Sequence, residues 1–440
     1  MKKLSWVGIL LVAACIFVSG CSSTNSSGGS DDVVHLKLWG AVPEESGPAQ
    51  VVENWNKENP KIQVEYKRYV NDEAGNTKLE TSLLAGGEVD LFINYRADKL
   101  AKRIEAGMVE PLDAYIKKSN FNVEENFGDK AIIPFDNKTY YIPAIILNDF
   151  VTINKSHLEE KGLPIPDSWT WKEYQSYAEK LAVKTGDNKR WGSFVGVMEP
   201  KIYEWMDKAV KTELGANAFY KDGKSNVDNP VFKQYLDTMI EMEQKQKVQP
   251  PYAEAKSSKM QGTDMFLREK TSMNWSGTAS LRNIKDVKSY PHDFVTAFAP
   301  PPTMNEDSKF KGGGTSYLDF TTINKRSKNK EAAYKFLEWY VTEGNEPMIT
   351  GGRVPAWKKA DKEKIKKMIL GEHPEKLFDV DSFNKVVLND DIDIVVDNKF
   401  DRLAQIQKIV EDEGERALIG EQSSSNAIKN MKEQIDAELQ

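Results

Sequence analysis

The chain has 440 residues, enough for two lobes, and its 40% hydrophobic and 29% charged content excludes extended disorder. A formal net charge of −7, with acids and bases interspersed, argues against a nucleic-acid binder, which would present a basic face to phosphates.

In chain order, Lys2 and Lys3 precede an apolar run from Leu4 to Val18 that small residues follow. The run is shorter than the roughly 20 residues of a membrane span, so residues 1–20 are predicted to be a secretory signal. It closes on Val18-Ser19-Gly20-Cys21, which resembles the bacterial lipobox. Cys21 is therefore expected to carry lipid as the first residue of the mature chain. Cys15 would leave with the signal, so no intramolecular disulfide is expected. Residues 21–32, rich in Ser, Gly and Asn, read as the lipidated cysteine and a flexible tether. The expected place of work is the outer face of the cytoplasmic membrane, with contact through the anchor alone.

Val34, Leu36 and Leu38 then alternate with His35, Lys37 and Trp39, the period of a strand. Pro48 opens a helix carrying Val51, Val52 and Trp55 that stops before Pro60, and Ile62, Val64 and Tyr66 alternate as a second strand. Leu79, Leu83 and Leu84 lie on a helix closed by Gly86-Gly87; Val89 to Ile93 is a short buried strand. Ala97, Leu100, Ala101 and Ile104 form a helix closed by Gly107. Alternation of this kind predicts an α/β fold with mainly parallel sheets flanked by helices. Later, Thr170 and Glu173 make a capping box for a helix bearing Tyr174, Tyr177, Ala178 and Leu181. Ala332, Ala333, Phe336, Leu337 and Tyr340 repeat the helical spacing, and Ile428, Met431 and Ile435 line a final helix over Ser424 to Leu439.

Chemical motifs are sparse. Histidines 35, 157, 292 and 373 are scattered without ligand spacing, so no metal is expected. The segment Ala218 to Ser225 lacks the first glycine of a phosphate loop, and no Gly-x-Ser-x-Gly elbow is present. Acid pairs such as Glu44-Glu45 and Asp390-Asp391 are adjacent in sequence, a common surface pattern, and only weakly suggest the two carboxylates that flank a glycosidic bond. No catalytic residue and no cofactor are predicted.

Several segments carry a resemblance. Asn56-Lys57-Glu58-Asn59-Pro60 leads into the Ile62–Tyr66 strand, Leu84-Ala85-Gly86-Gly87 into Val89-Asp90-Leu91-Phe92, and Glu105-Ala106-Gly107 into Met108-Val109-Glu110-Pro111-Leu112-Asp113. Tyr141-Ile142-Pro143, Thr152-Ile153-Asn154-Lys155, Gly162-Leu163-Pro164, Phe266 to Met273, Ser327 to Ala333 and Gly352-Arg353-Val354-Pro355-Ala356 follow in order. Together they resemble the bacterial extracellular solute-binding proteins (family 1), the large family that includes maltose-binding protein. Val89 and Arg268-Glu269 depart from its pattern.

The resemblance implies a type II periplasmic-binding-protein fold: two lobes, a ligand cleft between them and closure about a hinge. Residues 31–147 plus 297–342 would form lobe 1, and 148–296 plus 343–440 lobe 2. It implies a monomer that delivers a carbohydrate to the transmembrane subunits of an ABC permease. A peptide or polyamine carrier and a secreted glycosidase are the alternatives. Ligands of open α/β sheets sit beyond the carboxyl ends of strands, which selects Trp39, Glu44, Glu45, Asn94 and Tyr95. By resemblance, Trp275 would stack on a sugar, Gly313, Gly314 and Tyr317 would form a cleft-facing turn, and Asp149, Arg353 and Trp357 would lie where the chain passes the cleft.

Overall fold

A computed structural model describes residues 33–186, 189–196, 200–312, 314–389 and 393–440. The expected signal, Cys21 with the whole expected tether, and Gly313 lie outside them.

The strands, in chain order, are β1 (Val34–Gly40), β2 (Ile62–Arg68), β3 (Leu91–Asn94), β4 (Ile142–Leu147), β5 (Asp149–Asn154), β6 (Trp191–Val195), the small hairpin β7 (Tyr220–Lys221) and β8 (Lys224–Ser225), β9 (Thr271–Gly277), β10 (Thr296–Ala299), β11 (Ser316–Ile323) and β12 (Val354–Pro355). Six form one sheet in the order β12-β4-β11-β3-β1-β2, and four form a second in the order β10-β5-β9-β6. Parallel pairing holds where successive strands are joined through helices: β1 with β2 and β3, and β6 with β9. Strands on which the chain returns run antiparallel: β11 against β3 and β4, β12 against β4, and β5 against β9 and β10. Both sheets are therefore mixed.

Local sequence explains the elements. In β1, Leu36 and Leu38 alternate inward, whereas all of β3 is buried, its apolar run Leu91-Phe92-Ile93 closing on Asn94. Pro48 occupies the first turn of helix Pro48–Glu58, where its missing N–H costs nothing. The Thr170–Glu173 capping box forms as predicted, with Thr170 N donating to Glu173 Oε2 at 2.7 Å. Helices Pro48–Glu58 and Lys330–Tyr340 cover the first sheet, where Trp55 meets Phe336 edge-on at 5.2 Å. Each apolar side chain so buried contributes about 1.5–3 kcal/mol. In the second sheet, period-2 alternation splits β5 between two cores. Val151 and Ile153 join a core built with helices Ile202–Leu214, Leu403–Leu418 and Ser424–Leu439; Phe150 joins one built with Lys362–Leu370 and Val380–Val386.

Only Asn148 separates β4 of the first sheet from β5 of the second. The change of lobe expected at 297 falls within β10, which pairs along its length with β5 in the second sheet. The 343–440 segment, expected wholly in lobe 2, sends β12 into the first sheet. Among the described residues, no helix is long and apolar enough to cross a membrane.

Candidate functional site

Because β4 is antiparallel to β11, and β11 to β3, the carboxyl ends of β1, β3 and β4 share one end of the first sheet. In the second sheet β6 and β9 run together, and Gly277 at the end of β9 pairs with Asp149 at the start of β5. The carboxyl ends of both sheets thus converge on the Asn148 crossing, where Thr278 N donates to the Asn148 carbonyl at 3.0 Å. Arg96, just after β3, lies within electrostatic reach of Tyr203 and Glu204 on the first turn of helix Ile202–Leu214. Elements of the two sheets therefore come within electrostatic range of one another beside the strand ends, the place where open α/β sheets take ligands.

On the first sheet's side, Asp319 is fully buried, and its Oδ2 accepts from Arg353 Nε at 3.0 Å. Burial raises the Asp319 carboxyl above its usual range while the Arg353 charge opposes the shift. Its backbone sits at φ 51°, in the left-handed region, within an otherwise extended strand. Strain of that kind, coupled to a buried acid, is typical of functional positions. The Arg353 side chain keeps 21% exposure, so the cation is the accessible end of the pair. Tyrosines surround it: Tyr95 OH accepts from Ala41 N at 2.8 Å, and Tyr66 OH donates to the Val42 carbonyl at 2.7 Å. Burial raises both phenols well above their ordinary range.

On the second sheet's side, Asp149 Oδ1 accepts from Lys208 Nζ at 2.9 Å, with side-chain exposures of 2% and 15%. Again the acid lies deeper than the cation. Burial raises the Asp149 carboxyl, with Lys208 opposing. Lys208 also stands 4.3 Å above the Trp205 ring and reaches Glu204 Oε1 at 3.9 Å. Gly314 has to be glycine: a Cβ there would come within 1.9 Å of Asp149 Oδ2.

The selected residues divide three ways. Tyr95 and Arg353 lie beside the Asp319 pair, and Asp149 and Gly314 beside the Asn148 crossing; exposed Glu44 and Glu45 form a single turn shortly after β1. Tyr317 and Trp357 meet instead in a cavity of about 440 Å³ at the β4–β12 edge. Three selections need correction. Trp39 is buried, its Nε1 donating to the Glu88 carbonyl at 3.0 Å, and it packs in the first core. Asn94 ties the sheet together, accepting from Arg103 Nη1 at 2.7 Å and donating to Thr322 Oγ1 at 3.1 Å. Trp275 has no exposed surface, since Trp171 and Trp205 stand against it at 5.4 Å and 5.0 Å. A residue at or near a strand end still points into one face of its sheet, and these three point into filled faces.

Asp319, Lys208, Arg96 and Tyr203 went unselected. Asp319 had a visible signal, an acid inside the apolar run Tyr317-Leu318-Asp319-Phe320. A second cavity of about 420 Å³, lined in part by Asp149, Trp169, Phe298 and Lys385, shares Thr315 and Asn389 with the first, so the two flank the crossings.

Comparison with known proteins agrees with this architecture. The chain is 20% identical over 371 residues to a multiple sugar-binding protein of Streptococcus mutans, covering 78% of this chain and 79% of that one. An ABC substrate-binding protein from Listeria monocytogenes, solved in complex with cycloalternan, superposes with a TM-score of 0.73 at 21% identity, covering 92% of this chain and 99% of that one. A sugar transporter protein from Rhizobium etli in an open conformation gives 0.72 at 20% identity, covering 92% and 100%. Residues 41–347 match the family described as bacterial extracellular solute-binding protein, and the chain belongs to that family.

Proposed function

We propose that the protein is the lipid-anchored substrate-binding component of an ABC importer. It captures a carbohydrate, most simply an oligosaccharide, in the gap between the strand ends and passes it to the permease subunits as a monomer. The observation that carries this reading is the repeated order of charges at the gap: Asp319 beneath Arg353 and Asp149 beneath Lys208. Each buried carboxylate holds a cation in place, so the cation presents oriented N–H donors to a ligand rich in hydroxyl acceptors. Half-buried Tyr66, Tyr95 and Tyr203 supply apolar faces for sugar C–H groups. Two relatives, a multiple sugar-binding protein and a substrate-binding protein solved with cycloalternan, support the same ligand class. Rotation about the Asn148 crossing closes the gap over the ligand. Cys21 carries the anchor, and the protein releases its ligand unchanged.

The test is a thermal-shift screen of the mature protein against mono- and oligosaccharides, peptides, polyamines and glycerophosphocholine, the ligand of a related structure from Mycobacterium tuberculosis. A ligand at a hundred times its Kd adds about 2.7 kcal/mol of stability. A shift confined to one glycan series supports the proposal and names the cargo. Silence from every glycan with a clear shift from another class discards the sugar assignment. Turnover of a glycan would replace the carrier with a glycosidase.

A further inference from the structure

We propose that the cavity of about 440 Å³ at the β4–β12 edge is a second ligand site, built for a small ring-bearing organic acid. It lies at the opposite end of the strand order from β1 and β2, one strand beyond Asp319 on β11, with Arg353 directly preceding the β12 strand that lines it. Its volume falls within the range of small-molecule sites, about 300–1,000 Å³.

The walls are fixed by bonds that do not involve a ligand. Trp357 Nε1 donates to Asn126 Oδ1 at 2.9 Å, and Asn126 is itself held by its Nδ2 donating to the Asn122 carbonyl at 2.7 Å. Lys358 N donates to the Asn126 carbonyl at 2.8 Å, and Tyr317 OH donates to the Phe127 carbonyl. The half-buried indole of Trp357 is thus an oriented plate rather than a mobile one.

Two polar groups of the lining are left over. Asn148 is 4% exposed, and its Nδ2 donates to the Val387 carbonyl at 2.8 Å, yet its Oδ1 has no partner among the described residues. A buried acceptor in that state is unfavourable until a donor reaches it. The Lys358 ammonium has no ion-pair partner among the described residues. Gly128, at φ 105°, leaves room for it: a Cβ there would lie 3.2 Å from Lys358 Nζ and 3.3 Å from Tyr317 Oη. Ring plate, lone acceptor and unpaired cation together complement a ring that carries a hydroxyl or amino donor and a carboxylate.

The test titrates the mature protein, without glycan, with 4-hydroxybenzoate and separately with glucuronate. The two probes share the proposed chemistry and differ in whether the ring is flat or puckered. At least one binds at roughly 1 mM or tighter, and Trp357→Leu and Lys358→Gln each weaken it about tenfold. Lys359→Gln, which removes the same charge from the neighbouring residue, leaves the affinity unchanged. Lys358→Gln alters an exposed side chain and keeps the test decisive if Trp357→Leu misfolds. Silence from both probes, equal losses in Lys358→Gln and Lys359→Gln, or full affinity in Lys358→Gln would each overturn the proposal. Because no glycan is present, failure here and failure of the carbohydrate reading are separate results.

Discussion

At the end of the first sheet, Asp319 and Arg353 meet among tyrosines and leave a guanidinium partly open; at the end of the second, Trp171, Trp205 and Trp275 interlock until none of the Trp275 indole remains exposed. Both regions occupy the topological position where a ligand is expected, and both are rich in aromatic side chains. They differ in what stands beside each aromatic. Tyr66 and Tyr95 have backbone partners for their hydroxyls and border a charge pair whose guanidinium stays partly exposed, whereas Trp275 has another indole on either side. An aromatic residue at a strand end is a ligand plate only when its neighbours leave a face free.

Trp275→Ala should break this comparison most sharply if it is wrong. Truncating the indole opens a cavity within the triad, with an expected loss of about 3–5 kcal/mol in denaturant unfolding and little change in ligand affinity. A large affinity loss at nearly unchanged stability would return Trp275 to the binding surface. Arg353→Met comes next. It strands the buried Asp319 carboxylate, at a cost of about 3 kcal/mol, and weakens ligand binding as well. Since protonation of Asp319 relieves the stranded charge, the deficit relative to the parent protein should shrink as pH falls, and a deficit independent of pH would place the cost elsewhere.

The smallest effect contrasts Asp319 with an acid that has no cationic partner among the described residues. Glu243 is buried beneath the second sheet's helices, accepting from Tyr252 N at 2.9 Å and Gln249 Nε2 at 3.2 Å. Burial pushes its carboxyl up from 4.5 to about 7. The folded state therefore holds this proton more tightly than the unfolded chain. The stability it contributes is fully present below pH 4.5 and is lost as pH rises through about 7. The loss is at most about 3 kcal/mol. Glu243→Gln should flatten melting temperature against pH across that window, and an unchanged slope would show that Glu243 is not the titrating group.

Much of the architecture was legible before the structure. Alternation in Val34–Trp39 and Ile62–Tyr66, the proline opening at Pro48 and the capping box at Thr170 are local signals, and local physics honours them. The lobe boundaries were less so. Whether Thr296–Ala299 belongs with one sheet or the other depends on pairing with β5, some 140 residues earlier in the chain. The site divides along the same line. Tyr95 and Arg353 were selected because strand ends and a motif mark them. Lys208 and Tyr203 come from the middle and the first turn of an amphipathic helix, and only its packing brings them beside the strand ends. Trp39 and Trp275 were misjudged because residue type carries no record of the neighbours that cover a ring.

The pairing of β12 with β4 also bears on when the protein can fold. The first sheet takes its opening strand from Val34–Gly40 and its last from Val354–Pro355, so its edge stays open until nearly the whole chain is available. Contacts of such sequence separation form slowly, because the intervening chain must be ordered before they yield any stability. For a member of an exported family this lateness is an advantage. A polypeptide that cannot complete its sheet from its own N-terminal portion stays threadable through a translocation channel, and it locks only once its distant strand has followed it across.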